Sequence, residues 1–541
     1  MKLTSMKYAD GISKSKQIKF AGLNHRLGAK DGEVWDMRNM TSDHYPLLAS
    51  RKKRWRLKTF EAAGGIYAWD GLCWVEGTGF YFGGEKKGEV TAGQKTFASL
   101  GHWIVILPDK RCYNVTTGEF REMESRWSSD SLTFSDGLLY GEEAEANTIQ
   151  CEGVEWSEYF SAGDAVTISG CTAQPGNNKT VIIRAIDGDK LTFYEHTFSL
   201  GDEDTDSYTE NGEIKVERTV PELKYLCENE NRLWGCSDTT IYACKQGDIF
   251  NWNVYDGLAD DAWAVDPGSP GRFTGCISYK GYPTFFKEDR IYKVYGSLPS
   301  NFQVMGSATL GLMEGCAASL AIAGETLFYL GRNGIMAYTG GIPQPISEDL
   351  GLQPFRSAVA GSDGLKYYVS MEKEDGCCGL YVYDTQRGMW HKEDETRATH
   401  FAKHLGNLCF LNEAGELWRI GDTLQIPEDA VAEGTVEWMV EFADFTQEDP
   451  NRKGVGKLQL RLEIDEGARV QVWIQFDSDG RWHPVGGILR SDKKGSCYLP
   501  IVPRRCDHYR VKITGAGGCR IYSLVRESYS GSEMKSTYGR N

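Results

Sequence analysis

Long apolar runs are missing from this chain. No stretch approaches the roughly 18 residues needed to cross a bilayer as a helix. The opening Met1-Lys-Leu-Thr-Ser-Met-Lys-Tyr-Ala-Asp10 holds no apolar signal-peptide core, so the sequence predicts folding in a cytoplasm without anchor or export signal. Helical patterning is missing as well: no segment keeps an i, i+3, i+4, i+7 apolar register beyond about three turns. The 15 cysteines form no CxxC pair; Cys377 and Cys378 adjoin, and the rest are scattered, mostly in apolar strands (Cys73, Cys112, Cys236, Cys409). That spacing argues against a disulfide framework or a zinc site. It leaves thiols acting as small hydrophobes in a reducing compartment.

Catalytic signatures are absent too. There is no GxSxG elbow, no HExxH, no phosphate-cradling GxxxxGK[ST] and no GxGxxG after a strand. The expectation is a non-enzymatic chain with no catalytic, cofactor-binding or metal-ligating residues. His400 and His404 are spaced i, i+4 but fall in a strand segment with no acid between them, which reads as two packed or exposed histidines. Asp202-Glu-Asp-Thr-Asp206 with Glu213 places acids as in a calcium loop. Ser207 stands where glycine is needed and Thr209 where an apolar residue belongs, so an acidic loop is the reading. Asp477-Ser-Asp-Gly-Arg-Trp482 lacks the spacing of a sialidase Asp-box, although a glycosidase carboxylate pair leaves no mark in sequence.

What is present is a repeat. An apolar and aromatic strand–turn–strand phrase occurs at Ile66 to Trp74, Ile104 to Val115, Leu233 to Cys244, Thr284 to Val294, Leu327 to Tyr338, Tyr367 to Tyr383 and Leu408 to Ile420. Outside one gap the copies start about 38 to 50 residues apart, the period of a four-stranded propeller blade. One such hairpin cannot shelter its apolar face, so neighbours must pack on each other. Aromatics at 12% and 62 glycines suit short twisted strands joined by turns. At 541 residues the chain exceeds one core.

The predicted fold is all-β: a six- or seven-bladed β-propeller with an inserted small β-barrel-like domain and a C-terminal β-sandwich. Residues 1–60 read as an extended N-terminal segment, 61–144 and 221–425 as propeller, 145–220 as the insert, 432–527 as the sandwich and 528–541 as a flexible tail. The insert is inferred from Gly163 to Gly170, Thr180 to Ile186 and Lys190 to Tyr194, with Asp187-Gly188 as a hairpin turn. The sandwich is inferred from six longer strands, where Val470, Val472 and Ile474 alternate with Gln471, Trp473 and Gln475.

The net charge of −16 gives no general attraction to phosphate or anionic lipid. Arg51-Lys-Lys-Arg-Trp-Arg-Leu-Lys58 runs the other way. It reads as a solvated loop or as a docking strip for an acidic subunit or nucleic acid.

Phe285-Phe-Lys-Glu-Asp-Arg-Ile-Tyr-Lys-Val-Tyr-Gly296, Pro299-Ser-Asn-Phe-Gln303, Gly315-Cys316, Leu327 to Tyr338 and Pro345-Ile-Ser347 form one continuous pattern. Together they resemble the propeller of tailed-bacteriophage tail proteins of the tail-nozzle and packaged-DNA-stabilisation type. Phe250-Asn-Trp-Asn253 and Tyr383-Asp-Thr-Gln-Arg-Gly-Met-Trp390 look like further blade phrases of those proteins, and Asn39 to Lys52 is similar to their opening segment. The resemblance implies a virion structural protein of the tail or neck, assembled in the host bacterial cytoplasm. Its implied partners are itself in a closed ring, commonly a homo-hexamer, then portal, adaptor or other tail proteins, and DNA passing through the lumen without sequence-specific binding. The strip Arg51 to Lys58 would then face a partner subunit. A tail-tip receptor- or glycan-binding propeller is the alternative, with a carbohydrate-active enzyme behind it.

Overall fold

The structure is a computed structural model that describes residues 12–26, 29–135, 147–194, 198–201, 207–351, 353–421, 426–446, 452–488, 494–502 and 504–530. Those residues are strand, turn and loop, and helix is confined to single 3-10 turns such as Trp156–Glu158. The chain is all-β, with propeller blades, an inserted closed barrel and a C-terminal sandwich. It divides into two compact units, Ala62–Ala317 and Met1–Glu61 with Ala318–Asn541.

Seven sheets among the described residues are up-and-down antiparallel blades. Blades 1 to 4 lie in the first unit, at 63–89, 96–122, 225–265 and 275–308. Blades 5 to 7 lie in the second, at 321–345, 355–392 and 398–419. First strands of consecutive blades adjoin: blade 2 with 3 and 3 with 4 in one unit, blade 5 with 6 and 6 with 7 in the other.

A blade's second strand is covered on both faces by its neighbours, so it carries a continuous apolar run instead of an alternating one. Arg232–Cys236 is buried throughout, and Trp103–Leu107 and Thr326–Gly331 nearly so. The repeated phrase falls on strands two and three in six blades. In blade 1, Ile66 to Trp74 spans strands one and two, because Asp70-Gly71 makes the stronger turn there.

The insert leaves blade 2 and returns to blade 3. Its six strands close into a barrel in the order Ser125–Ser135, Thr148–Gln150, Lys190–Phe193, Thr180–Asp187, Ala165–Ser169, Ser207–Arg218. Trp127, Phe134, Trp156, Phe193, Ile214 and Val216 fill it. The barrel begins at Ser125, ahead of the 145 boundary read from sequence. Five serines between 125 and 135 mask the inward alternation of Trp127, Leu132 and Phe134, and a bulge between Ser129 and Ser131 breaks its period.

The sandwich has two five-strand paths. One runs Met40–Thr41, Leu48–Ser50, Cys519–Ser530, Lys453–Ile464, Gly495–Pro500, with Ile12–Gln17 also paired to Cys519–Ser530. The other runs Val34–Arg38, Glu437–Phe442, Tyr509–Ala516, Arg469–Phe476, His483–Ile488. Val470, Val472 and Ile474 point into the core between them. Within residues 1–60, read from sequence as extended and irregular, lie four sandwich strands and one blade strand. These strands are two to six residues long, and all but Met40–Thr41, which pairs with Leu48–Ser50, lie against segments hundreds of residues away, so local pattern does not reveal them. The last strand runs on to Ser530, and the remainder of the expected tail lies outside the described residues.

Candidate functional site

The basic strip is the place where charge patterning points to a function. Trp55–Thr59 is the fourth strand of blade 7, paired antiparallel with Glu416–Arg419 and flanked on its other side by Val431–Ala432. Phe60 donates its N–H to the Gly415 carbonyl at 2.7 Å. Gly415 takes φ +76°, and a Cβ there would stand 2.4 Å from the Phe60 carbonyl oxygen. Only glycine lets the chain pass so closely.

Arg51 and Arg54 are each 5% exposed at the side chain. Arg51 grips Glu433 with both terminal nitrogens, at 2.7 and 2.8 Å, and donates Nε to Asn39 at 2.7 Å. Arg54 donates to Asp394 at 2.8 Å, to Thr396 at 3.1 Å and to Glu393. Its guanidinium lies 5.2 Å from the Phe410 ring centroid. Burial alone would lower the Arg54 pKa, but Glu393 and Asp394 outweigh it and hold it above its ordinary value. Burial pushes Asp394 and Glu433 up, and the two arginines overcome that and hold both below the carboxylate range.

The expectation that this strip faces a partner subunit is therefore corrected for Arg51 and Arg54. A guanidinium removed from water must find carboxylates, and here they come from blade 6 and the blade 7 edge of the same chain. Arg56 pairs with Glu416 at 2.9 Å inside the blade. Lys52 and Lys53 are the strip's exposed members alongside Thr59 at the strand's end.

A second charged feature stands where the barrel leaves blade 2. A cleft of about 590 Å³ is lined by Glu89, Asp109, Lys110, Glu122, Glu124 and Arg126 among others. Each of these has a partner on this chain. Asp109 meets Lys95 at 2.6 Å with both almost fully buried, and Lys110 bridges Glu124 at 2.8 Å and Glu222 at 2.6 Å. Glu122 pairs with Arg111, Glu89 with Lys86, and Arg126 with Glu124. At the barrel's exit Arg218 grips Asp164, and Asn251 donates to Asp164 and accepts from the Ala165 N–H. The cleft is a joint fastened by ion pairs.

Other residues singled out in the sequence stay apart. His400 and His404 share the strand Ala398–His404, which separates them by roughly 13 Å at strand rise, too far to share an ion. No group of three His, Cys, Asp or Glu among the described residues could hold a metal. Asp202 to Asp206 lie outside the described residues, while Glu213 pairs with Lys215. The Asp477 to Trp482 segment is a sandwich turn. The cysteines are free; burial pushes Cys73 up to about 12, and Cys377 is exposed. Among the described residues Trp69 is the one exposed tryptophan, and seven others are buried. No helix of the described residues is long and apolar enough to cross a membrane.

Sequence reading missed Glu393, Asp394 and Glu433. The acidic phrase Glu393-Asp-Glu395 is visible, but nothing local ties it to arginines some 340 residues earlier.

No family model matches the chain, and no curated protein matches it. Among solved structures, BamB from Moraxella catarrhalis is similar at 11% identity, over 70% of this chain and 99% of that one, with a TM-score of 0.32. An exo-beta-1,3-galactanase from Phanerochaete chrysosporium aligns at 8% identity over 56% and 94%, with a TM-score of 0.20. Raptor from Chaetomium thermophilum aligns at 11% over 59% and 28%, with a TM-score of 0.28. These likenesses are too distant to carry an argument about function.

Proposed function

We propose that this chain is a non-enzymatic structural protein of a tailed-bacteriophage virion, a ring-forming tail or neck component that extends the DNA conduit. The observation that carries the reading is where the tail-protein phrases fall. Phe285 to Gly296 lies on strands two and three of blade 4 and is followed by the Pro299–Asn301 turn. Leu327 to Tyr338 forms strands two and three of blade 5. Asn251 of Phe250 to Asn253 ties the barrel to blade 3, and Tyr383 to Trp390 turns strand three of blade 6 into strand four around the buried Trp390. The resembling phrases thus fall on blade strands and on turns and contacts between them, which suits a scaffold.

Two further features support it. The ion pairs at both charged joints lie within the chain, stiffening it without a ligand. The −16 net charge disfavours adhesion to passing DNA. A heterologous interface that closes on itself would build the ring, with portal, adaptor or other tail proteins above and below.

Native mass spectrometry and negative-stain imaging of the purified chain test this. Closed rings, hexameric in the first instance, are the expected outcome. Monomers or trimers, with labelled antibody marking the distal tip of virions, would transfer the chain to adsorption instead. Turnover of cell-wall or capsule glycans would end the non-enzymatic reading.

A further inference from the structure

We propose that the cleft between the outer edges of blades 3 and 4 binds an acidic saccharide, seating a pyranose ring on Trp263 beside the edge of Phe302 with its carboxylate on Arg290. The proposal does not rest on the virion reading. The cleft measures about 620 Å³ and is lined by Trp263 from the last strand of blade 3, by Arg290, Tyr292 and Phe302 of blade 4, and by the Pro267 to Pro270 connection. That volume falls in the range of small-ligand sites.

Its floor is rigid before any ligand arrives. Trp234, Trp263 and Phe302 form a triangle of edge-on rings with centroids 5.1 to 5.9 Å apart, a mutually locked arrangement. Arg232 is buried behind it with its guanidinium 5.8 Å from the Phe302 centroid.

The wall is held just as firmly. Lys287, 1% exposed, donates Nζ to the Ser269 carbonyl and hydroxyl oxygens, each at 2.8 Å. Tyr292 bonds the same hydroxyl. Gly306 leaves the Tyr292 ring room to lie against the outer strand, since a Cβ there would come within 2.5 Å of it.

Charge then selects the ligand. Arg290 is the only formally charged residue in the lining. Its side chain is 36% exposed, and its inner Nε pairs with Asp289 at 3.9 Å. A ligand that fits presents one apolar face to aromatic rings and one anionic edge to a guanidinium. A uronic-acid unit of a polysaccharide does both: its ring C–H face lies on the indole beside the phenyl edge, and its carboxylate meets the exposed end of the Arg290 guanidinium.

Titration calorimetry and saturation-transfer NMR test this on the full chain, with a D-glucuronate-containing oligosaccharide as probe. Saturable binding in roughly the millimolar range is expected, at least tenfold weaker for the matching neutral glucose oligosaccharide. Arg290→Gln should erase that preference, and Trp263→Ala should abolish binding. Trp263→Phe, which keeps a ring, should retain it and guards against simple misfolding. The proposal is overturned by the absence of saturable binding, by equal affinity for the neutral and acidic sugars, or by binding that survives Trp263→Ala. Stronger binding of an acidic proline-rich peptide than of the sugar would also overturn it, in favour of a protein partner.

Discussion

The barrel and the sandwich reach stability by opposite routes. The barrel is one continuous stretch, Ser125 to Arg218, whose two ends pair with each other, so its core closes without help from distant chain. The sandwich is stitched from both ends of the sequence: Ile12–Gln17 and Leu48–Ser50 lie on Cys519–Ser530, and Val34–Arg38 lies on Glu437–Phe442. A self-contained domain tolerates insertion between repeats because its ends meet where it began. A domain shared between termini makes its own stability depend on everything threaded between them.

The sharpest way to break the comparison is by deletion. Replacing 125–218 with a short Gly/Ser linker should leave the blades folded, because the paired ends of the barrel lie close together. Removing residues 12–50 should lose the sandwich and most soluble protein; limited proteolysis with mass spectrometry reads both. Next come the anchors. Trp156→Ala in the barrel, where the ring is fully buried, should cost about 3–5 kcal/mol. Arg54→Ala should cost about as much, because Glu393 and Asp394 would be left without their shared buried cation. Equilibrium denaturation measures both, and the first should unfold the barrel while the second loosens the blade 7 seam.

A pH effect follows on the sandwich-bearing unit. His391, 4% exposed, is lowered to about 4 by burial, with Lys366 adding to it and Asp384 and Asp43 opposing. An unfolded histidine titrates near 6.5, so between 6.5 and 4 the unfolded chain binds more protons and stability falls as pH falls. The loss should be on the order of 3 kcal/mol by pH 4, and His391→Gln should flatten that slope in denaturation series. Smallest is the change from Lys52→Ala with Lys53→Ala: both side chains are exposed, and stability should move by less than about 0.5 kcal/mol. A large shift would mean that the strip works through its lysines.

What sequence made legible follows from burial. Strands two and three, covered on both sides, write apolar runs such as Leu233 to Cys236, and in six of the seven blades these carried the repeat. The fourth strands of blades 2, 3 and 5, Phe120–Glu122, Trp263–Val265 and Gln344–Pro345, are too short to leave a pattern. The aromatic cleft was not legible as a site, because Trp263, Arg290 and Phe302 meet through blade packing. The arginine seam was legible as charge but not as structure, since whether a basic run faces water or carboxylates depends on partners the run itself does not encode.

The strand that completes blade 7 leaves the ribosome well before its partner, and Arg56 meets Glu416 across 360 residues of later synthesis. At about 5–20 residues per second, the opening segment waits roughly 20 to 70 seconds for its partners. Throughout that interval a nascent chain carries a bare, cationic edge that a neighbouring nascent chain on the same message could capture. Exchange of this strand between copies is the hazard that such a closure builds into the birth of the protein.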